Sequence, residues 1–286
     1  MLVRSYAKIN LTLAVSKPEP STAARPGWHR IASWFHAVDM WDEVHLLHSD
    51  VEAKVEVLFA SGVKPDWPME KDLGYRAIKA LEARVGRALP VLARVTKRIP
   101  AGGGLGGGSS NAAAVLRGVN QLLGLGLDHS TLVMLGRELG SDVEFFLDDV
   151  ALNAPPRAAF VQGFGDHVER VRSLNDEVTL LVTGIDCPTP LVYQKFDALG
   201  STVFAAEQAR HALDASLHEG HVREELLFNQ LTSAACEVRP ALNKALHACA
   251  RRCGQVLLSG SGGTIFTFGR MREAMTGITP VATRLV

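Results

Sequence analysis

Apolar residues alternate with small or polar ones at Leu11, Leu13 and Val15, and Val55-Glu56-Val57-Leu58-Phe59 shows the same two-residue period. Both stretches predict half-buried strands, because successive strand side chains point to opposite faces. Lys17 to Gly27 is rich in Pro, Ser and Ala and predicts an exposed loop between them. The period then changes. Leu73, Ala77, Ile78, Leu81 and Val85 recur at helical spacing, with Gly86 placed to end the helix. Val91 to Thr96 returns to strand.

The next segment, Pro100-Ala-Gly-Gly-Gly-Leu-Gly-Gly-Gly-Ser-Ser-Asn111, leads straight into an apolar stripe of Ala112, Val115, Leu116, Val119, Leu122 and Leu123. Ser109, Ser110 and Asn111 all suit an N-cap, so the expected order is strand, glycine loop, helix N-terminus. Paired prolines in Asn153-Ala-Pro-Pro-Arg157 interrupt both helix and strand and mark a domain boundary. Beyond it, strands are expected around Ala158–Val161 and Val178–Thr183. Helices are expected around Thr202–Leu217 and Ala241–Arg252, and a last strand pair around Ser259-Gly-Ser-Gly-Gly263. The sum is an α+β chain of two domains, 1–153 and 154–286, without internal repeats.

Composition narrows the possible functions. Of 286 residues 47% are apolar and 21% charged, the balance of a soluble globular protein. Thirty basic residues cancel thirty acidic ones, which argues against nucleic acid or an anionic membrane as partner. Cys187, Cys236, Cys249 and Cys253 form no CxxC pair and no zinc spacing with histidine, a usage that suits a reducing compartment. The opening MLVRSYAKIN has no signal-peptide core, and no apolar run approaches a membrane span. The expectation is a soluble cytoplasmic protein, monomeric or homodimeric, acting on a small molecule.

Between 102 and 108 six of seven residues are glycine. Without Cβ atoms, successive N–H groups can face one concavity, and the following helix adds unpaired N–H groups and the positive end of its dipole. An anion is the natural guest. A flexible surface loop is the competing account, but a linker need not abut caps and an amphipathic helix. Gly102-x-Gly104-x-x-Gly107 matches the dinucleotide fingerprint only formally, since Lys97, Arg98 and Pro100 separate it from the strand. A Walker A loop needs a lysine after the glycines, and none is present.

Pro100 to Ala113 resembles the second motif of the GHMP kinase superfamily. Ala7-Lys8-Ile9-Asn10-Leu11 resembles its N-terminal motif, and Ser259-Gly-Ser-Gly-Gly263 its C-terminal one, in the right order. Trp28-His29, Phe35 to Asp39, Gly140-Ser141-Asp142-Val143-Glu144-Phe145-Phe146, Ala158 to Gly165 and Pro188 to Tyr193 are similar to segments of the diphosphocytidyl-methylerythritol kinase branch. The resemblance implies the two-domain GHMP fold, a ribosomal protein S5 domain 2-like N-terminal domain and a ferredoxin-like C-terminal domain with ligands in the cleft. It implies transfer of phosphate from ATP, with Mg²⁺, to the 2-hydroxyl of the cytidylated methylerythritol on the route to isoprenoids.

By the same resemblance Asp142 accepts the proton of the acceptor hydroxyl, and Lys8 stabilises the developing alkoxide. Lys97, Pro100, Gly102, Gly103, Gly104, Leu105, Gly106, Gly107, Gly108, Ser109 and Ser110 fall on the nucleotide side. Asn10, Trp28, His29, Tyr193 and Gly262 fall on the acceptor side, with Trp28 and Tyr193 enclosing a cytosine and His29 reading its edge. Taken singly, Asp142 reads as a helix cap, Lys8 as a solvated lysine, Lys97 as an exposed strand-end lysine and each aromatic as core or surface. No carboxylate motif identifies a metal ligand.

Several positions depart from the branch pattern: Trp28 replaces tyrosine, Glu144 proline, Asn111 aspartate and Asp72 an asparagine, and the loop before Trp28 is longer. A GHMP kinase with another acceptor (a polyol, homoserine or mevalonate derivative) and a non-catalytic nucleotide binder are the alternatives. A dinucleotide oxidoreductase is more distant.

Overall fold

The computed structural model describes residues 1–49, 53–200, 203–271 and 275–286. They form two compact units that interleave along the chain: 1–7, 40–99 and 106–156 in the first, and 8–39, 100–105 and 157–286 in the second. Two long strands, β1 (Leu2–Pro18) and β2 (His29–His48), run through both units.

In the first unit the second half of β2 pairs antiparallel with β4 (Val91–Lys97), Glu43 opposite Thr96, and β3 (Lys54–Phe59) pairs parallel with β4. Helices α1 (Leu73–Val85), α2 (Gly107–Leu122), α3 (His129–Leu139) and the one-turn α4 (Val143–Phe146) complete it. The predicted stripe of α1 is buried at Ala77, Ile78 and Leu81, and Gly86 ends the helix at φ 71°. Gly118 lets α2 lie close on the sheet, since a Cβ there would overlap the side chain of Leu46 and crowd Val3.

In the second unit the first half of β2 pairs with β5 (Ala159–Gly163), which pairs with β6 (His167–Arg170). A separate sheet has the order β11-β7-β10-β9, from β7 (Glu177–Val182), β9 (Leu257–Leu258), β10 (Thr264–Phe268) and β11 (Thr279–Arg284). Helices α5 (Thr189–Ala198), α6 (Ala206–Glu219), α7 (Thr232–Val238) and α8 (Pro240–Cys253) belong here, and the short β8 (Phe228–Asn229) extends β1 in parallel. Leu181, Val192, Phe196, Leu242, Leu258 and Ile265 are among the side chains of its core.

Three predictions change. Residues 5–15 of β1 are buried on both faces, so the expected half-buried alternation is not observed; strand neighbours and cover on both sides remove it. Helix α2 begins earlier than expected, with Gly106 at φ 70° as N-cap, so Ser109, Ser110 and Asn111 lie inside the first turns instead of capping them. A glycine reaches that left-handed conformation at no steric cost, which frees the three polar side chains for other contacts. The helix expected from Thr202 begins at Ala206, and Thr202 lies outside the described residues. Helices α3 and α5 did not stand out in the apolar pattern; prolines at 188 and 190 obscure the start of α5, although Pro190 sits in the first turn, where proline is tolerated.

Candidate active site

The glycine run divides between the units, Pro100–Leu105 in the second and Gly106 onward in the first. In the second unit the carbonyls of Gly103, Gly104 and Leu105 accept hydrogen bonds from the N–H of Thr264 (3.1 Å), the hydroxyl of Ser259 (3.0 Å) and the N–H of Lys8 (2.9 Å). A Cβ on Gly104 would overlap the Ser259 carbonyl, one on Gly102 the Asp186 carboxylate, and one on Gly103 would sit 2.6 Å from Thr264 Oγ1. The second and third glycine motifs therefore pack backbone to backbone. Gly262, at φ 120°, closes the partner loop by donating its N–H to the Ser259 carbonyl at 3.1 Å.

The N–H groups behave differently from the carbonyls. Among the described residues those of Gly102 through Ser109 have no internal acceptor. Gly106 to Ser109 supply the free donors of a helix N-terminus. The Ser109 hydroxyl is likewise without a partner among the described residues, whereas Ser110 is buried and its hydroxyl accepts from Ser5 Oγ at 2.8 Å.

Beneath that helix start the first unit buries a charged cluster. Lys97 is 5% exposed, which excludes the exposed strand-end account, and its ammonium donates to Asp42 Oδ2 (2.5 Å) and Asn111 Oδ1 (2.9 Å). Asn111 Nδ2 donates in turn to Asp42 Oδ2 (3.0 Å) and Ser5 Oγ (2.8 Å). Asp42 Oδ1 accepts from the backbone N–H of Arg98 (2.6 Å) and Ile99 (2.8 Å). Sequence reasoning missed Asp42, whose cluster partners Lys97 and Asn111 are 55 and 69 positions away.

Asp142 stands at the N-cap position of α4 but makes no side-chain capping bond, so the helix-cap account is not realised. Two residues on, Glu144 is buried and receives a bidentate contact from Arg137 of α3, Nε to Oε2 at 2.6 Å and Nη2 to Oε1 at 2.7 Å. The pair ties α4 to α3. Asp72 caps α1, accepting from the N–H of Gly74 (2.8 Å) and Tyr75 (3.2 Å), with the Trp67 indole donating to its other oxygen at 3.2 Å. Lys54, Val57, Trp67, Met69 and Asp72 help line a cavity of about 460 Å³ that no sequence motif announced.

In the second unit Lys8 is 3% exposed, not solvated. Its ammonium donates to Asn10 Oδ1 at 2.6 Å and lies 4.5 Å from the centre of the Phe35 ring. Asn10 Nδ2 donates to Ser33 Oγ at 3.0 Å, and the Ser33 hydroxyl donates to the Thr12 carbonyl. Lys8 and Asn10 are thus held together, two residues apart on one face of β1. His29 and Tyr193 meet with ring centres 5.0 Å apart; His29 Nδ1 donates to the Ser16 carbonyl (2.9 Å), and its Nε2 lies 3.4 Å from Asp197. Trp28, half exposed, meets Phe164 edge-on at 6.0 Å, with the Arg25 guanidinium over both rings. Trp28 therefore has Phe164 as a ring neighbour, and Tyr193 has His29 as one.

Comparison with known proteins defines the class. Residues 72–152 match the family described as the GHMP kinases N terminal domain. A mevalonate kinase from Methanococcus jannaschii shares the fold, with TM-score 0.63 over 100% of this chain and 98% of that chain at 12% identity. A crystal structure of a 4-(cytidine 5'-diphospho)-2C-methyl-D-erythritol kinase matches with TM-score 0.74 at 27% identity, over 100% of this chain and 99% of that one. Proteins named 4-diphosphocytidyl-2-C-methyl-D-erythritol kinase from Geobacter sp. (strain M21) and Persephonella marina are 34% and 30% identical. Those matches cover 91% and 94% of this chain, and 86% and 91% of the relatives. The chain belongs to the 4-diphosphocytidyl-2-C-methyl-D-erythritol kinase family of GHMP kinases.

Proposed function

We propose that this kinase transfers the γ-phosphoryl group of ATP to the 2-hydroxyl of 4-diphosphocytidyl-2-C-methyl-D-erythritol. The observation that carries the reading is the run of undonated amides from Gly102 to Ser109 at the start of α2. Phosphoryl transfer asks the protein mainly for positioning and for stabilisation of charge on the phosphate oxygens, which backbone N–H groups and a helix N-terminus supply. Ser109 adds a hydroxyl donor, and Lys97 and Ser110 act from beneath through the helix start they brace. The cavity beside Trp67 and Asp72 is of a size to take a nucleobase.

On the acceptor side Asp142 removes the proton of the attacking hydroxyl and Lys8 stabilises the alkoxide that develops. Asn10 holds the Lys8 ammonium in place. The exposed face of Trp28 offers a stacking surface to cytosine, while the buried ring of His29 supports Tyr193. Among the described residues no group of three or more His, Cys, Asp or Glu is placed to cage a cation. A magnesium ion needs no such cage when it arrives on the nucleotide phosphates, and no step here is routed through it.

The proposal includes 1–153 and 154–286 as the family's two domains, a cytoplasmic location and a monomeric or homodimeric state. Among the described residues no helix is long and apolar enough to cross a membrane. A second reading keeps the kinase and changes the acceptor; it is favoured by the pairing of Tyr193 with His29 and of Trp28 with Phe164.

ADP release with ATP, Mg²⁺ and the cytidylated acceptor, beside Asp142→Asn, tests the assignment. Loss of turnover in the variant by about 10²-fold or more, with ATP still bound, is expected. Turnover with mevalonate or homoserine but not with this acceptor would replace the substrate. ATP binding without turnover on any acceptor would leave a nucleotide binder.

A further inference from the structure

The carboxylate of Asp42 is completely buried, and its two oxygens serve opposite ends of the glycine run. Oδ1 accepts from the backbone N–H of Arg98 and Ile99, immediately before Pro100. Oδ2 accepts from Asn111, in the opening turns of α2 just after Ser110, and from Lys97. We infer that Asp42 is the positioning residue of the phosphate loop, a single carboxylate clamping the strand that enters the loop to the helix that leaves it. The inference rests on the reading of Gly102–Ser109 as the nucleotide phosphate site.

Chemistry explains why an aspartate is needed. Each oxygen receives two donors, so the side chain must present two acceptors and no donor, which among residues of this size only an ionised carboxylate does. Burying that charge is costly unless it is paired and fully hydrogen-bonded, and Lys97 with three N–H donors meets the condition. Lys97 in turn reaches Asn111 Oδ1, and its ammonium lies 3.0 Å from where a Cβ on Gly107 would stand. Asn111 reaches Ser5, which donates to Ser110. The cluster therefore fixes both flanks of the loop while leaving the loop's own N–H groups free. Asp42 touches no part of the proposed phosphate path, and acts through the residues it holds.

Asparagine provides the test, because it has one acceptor oxygen and so can satisfy only one flank. Asp42→Asn, read as KM for ATP, KM for the acceptor, kcat and thermal midpoint, is expected to raise KM for ATP by at least about tenfold. KM for the acceptor should stay within about twofold. The double variant Asp42→Asn with Asn111→Asp returns a carboxylate to Lys97 and a donor–acceptor pair between positions 42 and 111. It is expected to recover most of the ATP affinity.

Amide hydrogen exchange without nucleotide separates the clamp from the function. Faster exchange at Arg98, Ile99, Ser110 and Asn111 in Asp42→Asn supports the clamp even if the wild-type chain fails to bind ATP, an outcome that would sink the functional reading alone. Wild-type exchange and wild-type KM for ATP in Asp42→Asn would overturn the inference. So would equal losses in both substrates' KM and in kcat that the double variant does not reverse, the mark of a general core role. If Asp42→Asn does not fold, the same readouts on Asn111→Ala decide between these outcomes; it removes the downstream contact to Asp42 together with those to Lys97 and Ser5, and leaves Arg98 and Ile99 on the carboxylate.

Discussion

Gly102, Gly103 and Gly104 lie against Asp186, Thr264 and the Ser259 backbone, whereas Gly106, Gly107 and Gly108 open a helix. In the first group a Cβ would overlap the Ser259 carbonyl or the Asp186 carboxylate, or crowd Thr264. In the second, a Cβ on Gly108 would meet only Leu73, at an ordinary 3.5 Å. Close approach of a second loop thus accounts for the glycines at the start of the run, while at its end Gly106 takes φ 70°, Gly107 lies against Ile99 and Lys97, and Gly108 leaves the amides open. The polar groups of the two units also differ. The first unit buries Lys97 and Asp42 as a charged pair. The second buries His36 uncharged, Nδ1 donating to the Ala37 carbonyl and Nε2 accepting from the N–H of Leu174.

The largest effect should come from Gly104→Ala. It combines φ 73°, which disfavours any side chain, with an overlap on backbone that cannot rotate away. A loss of about 3 kcal/mol or more in urea unfolding is expected; a stable variant would remove the loop-on-loop account. The pH dependence of stability comes next. Burial pushes His36 down to about 4 from 6.5, so the unfolded chain binds the proton more readily. Its contribution is complete above pH 6.5 and falls as the pH is lowered toward 4, by about 3 kcal/mol in all. A His36→Gln variant should flatten that part of the stability curve, and an unchanged slope would show that other groups dominate it.

A smaller effect is expected from Arg137→Met, which removes the bidentate partner of Glu144. Because Arg137 is half exposed, the expected loss of stability is about 1–2 kcal/mol. The turn bearing Asp142 loosens, so kcat should fall further than KM changes. Equal kcat would mean that Glu144 replaces proline without consequence for Asp142. Smallest of all is Gly108→Ala, expected to alter stability by less than about 1 kcal/mol, and in the stabilising direction. Its KM for ATP should nevertheless rise as the methyl group intrudes on the donors. An unchanged KM would move the phosphate site toward the first three glycines.

Much of the fold was legible where one residue's neighbours along the chain decide the outcome. The stripe Leu73–Ala77–Ile78–Leu81 and the stop at Gly86 were readable because a helix repeats its own face. So were strands β3 and β4. Strand β1 kept its identity and lost its alternation, since burial on both faces depends on what covers it. Of the candidate site, Lys8 and Asn10 lie together as their two-residue spacing on a strand requires. Asp42 and the pairing of Tyr193 with His29 carried no local signal.

The order of motifs along the sequence was by itself enough to point to the family and to the segment able to receive a phosphate, because donor amides and a helix start are properties of adjacent residues. Only the tertiary structure decided which glycines answer to a second loop, where the cap of α2 falls, and that Lys97, Asp42 and Asn111 meet. Those outcomes depend on distances between residues far apart in the chain, which local preference does not encode.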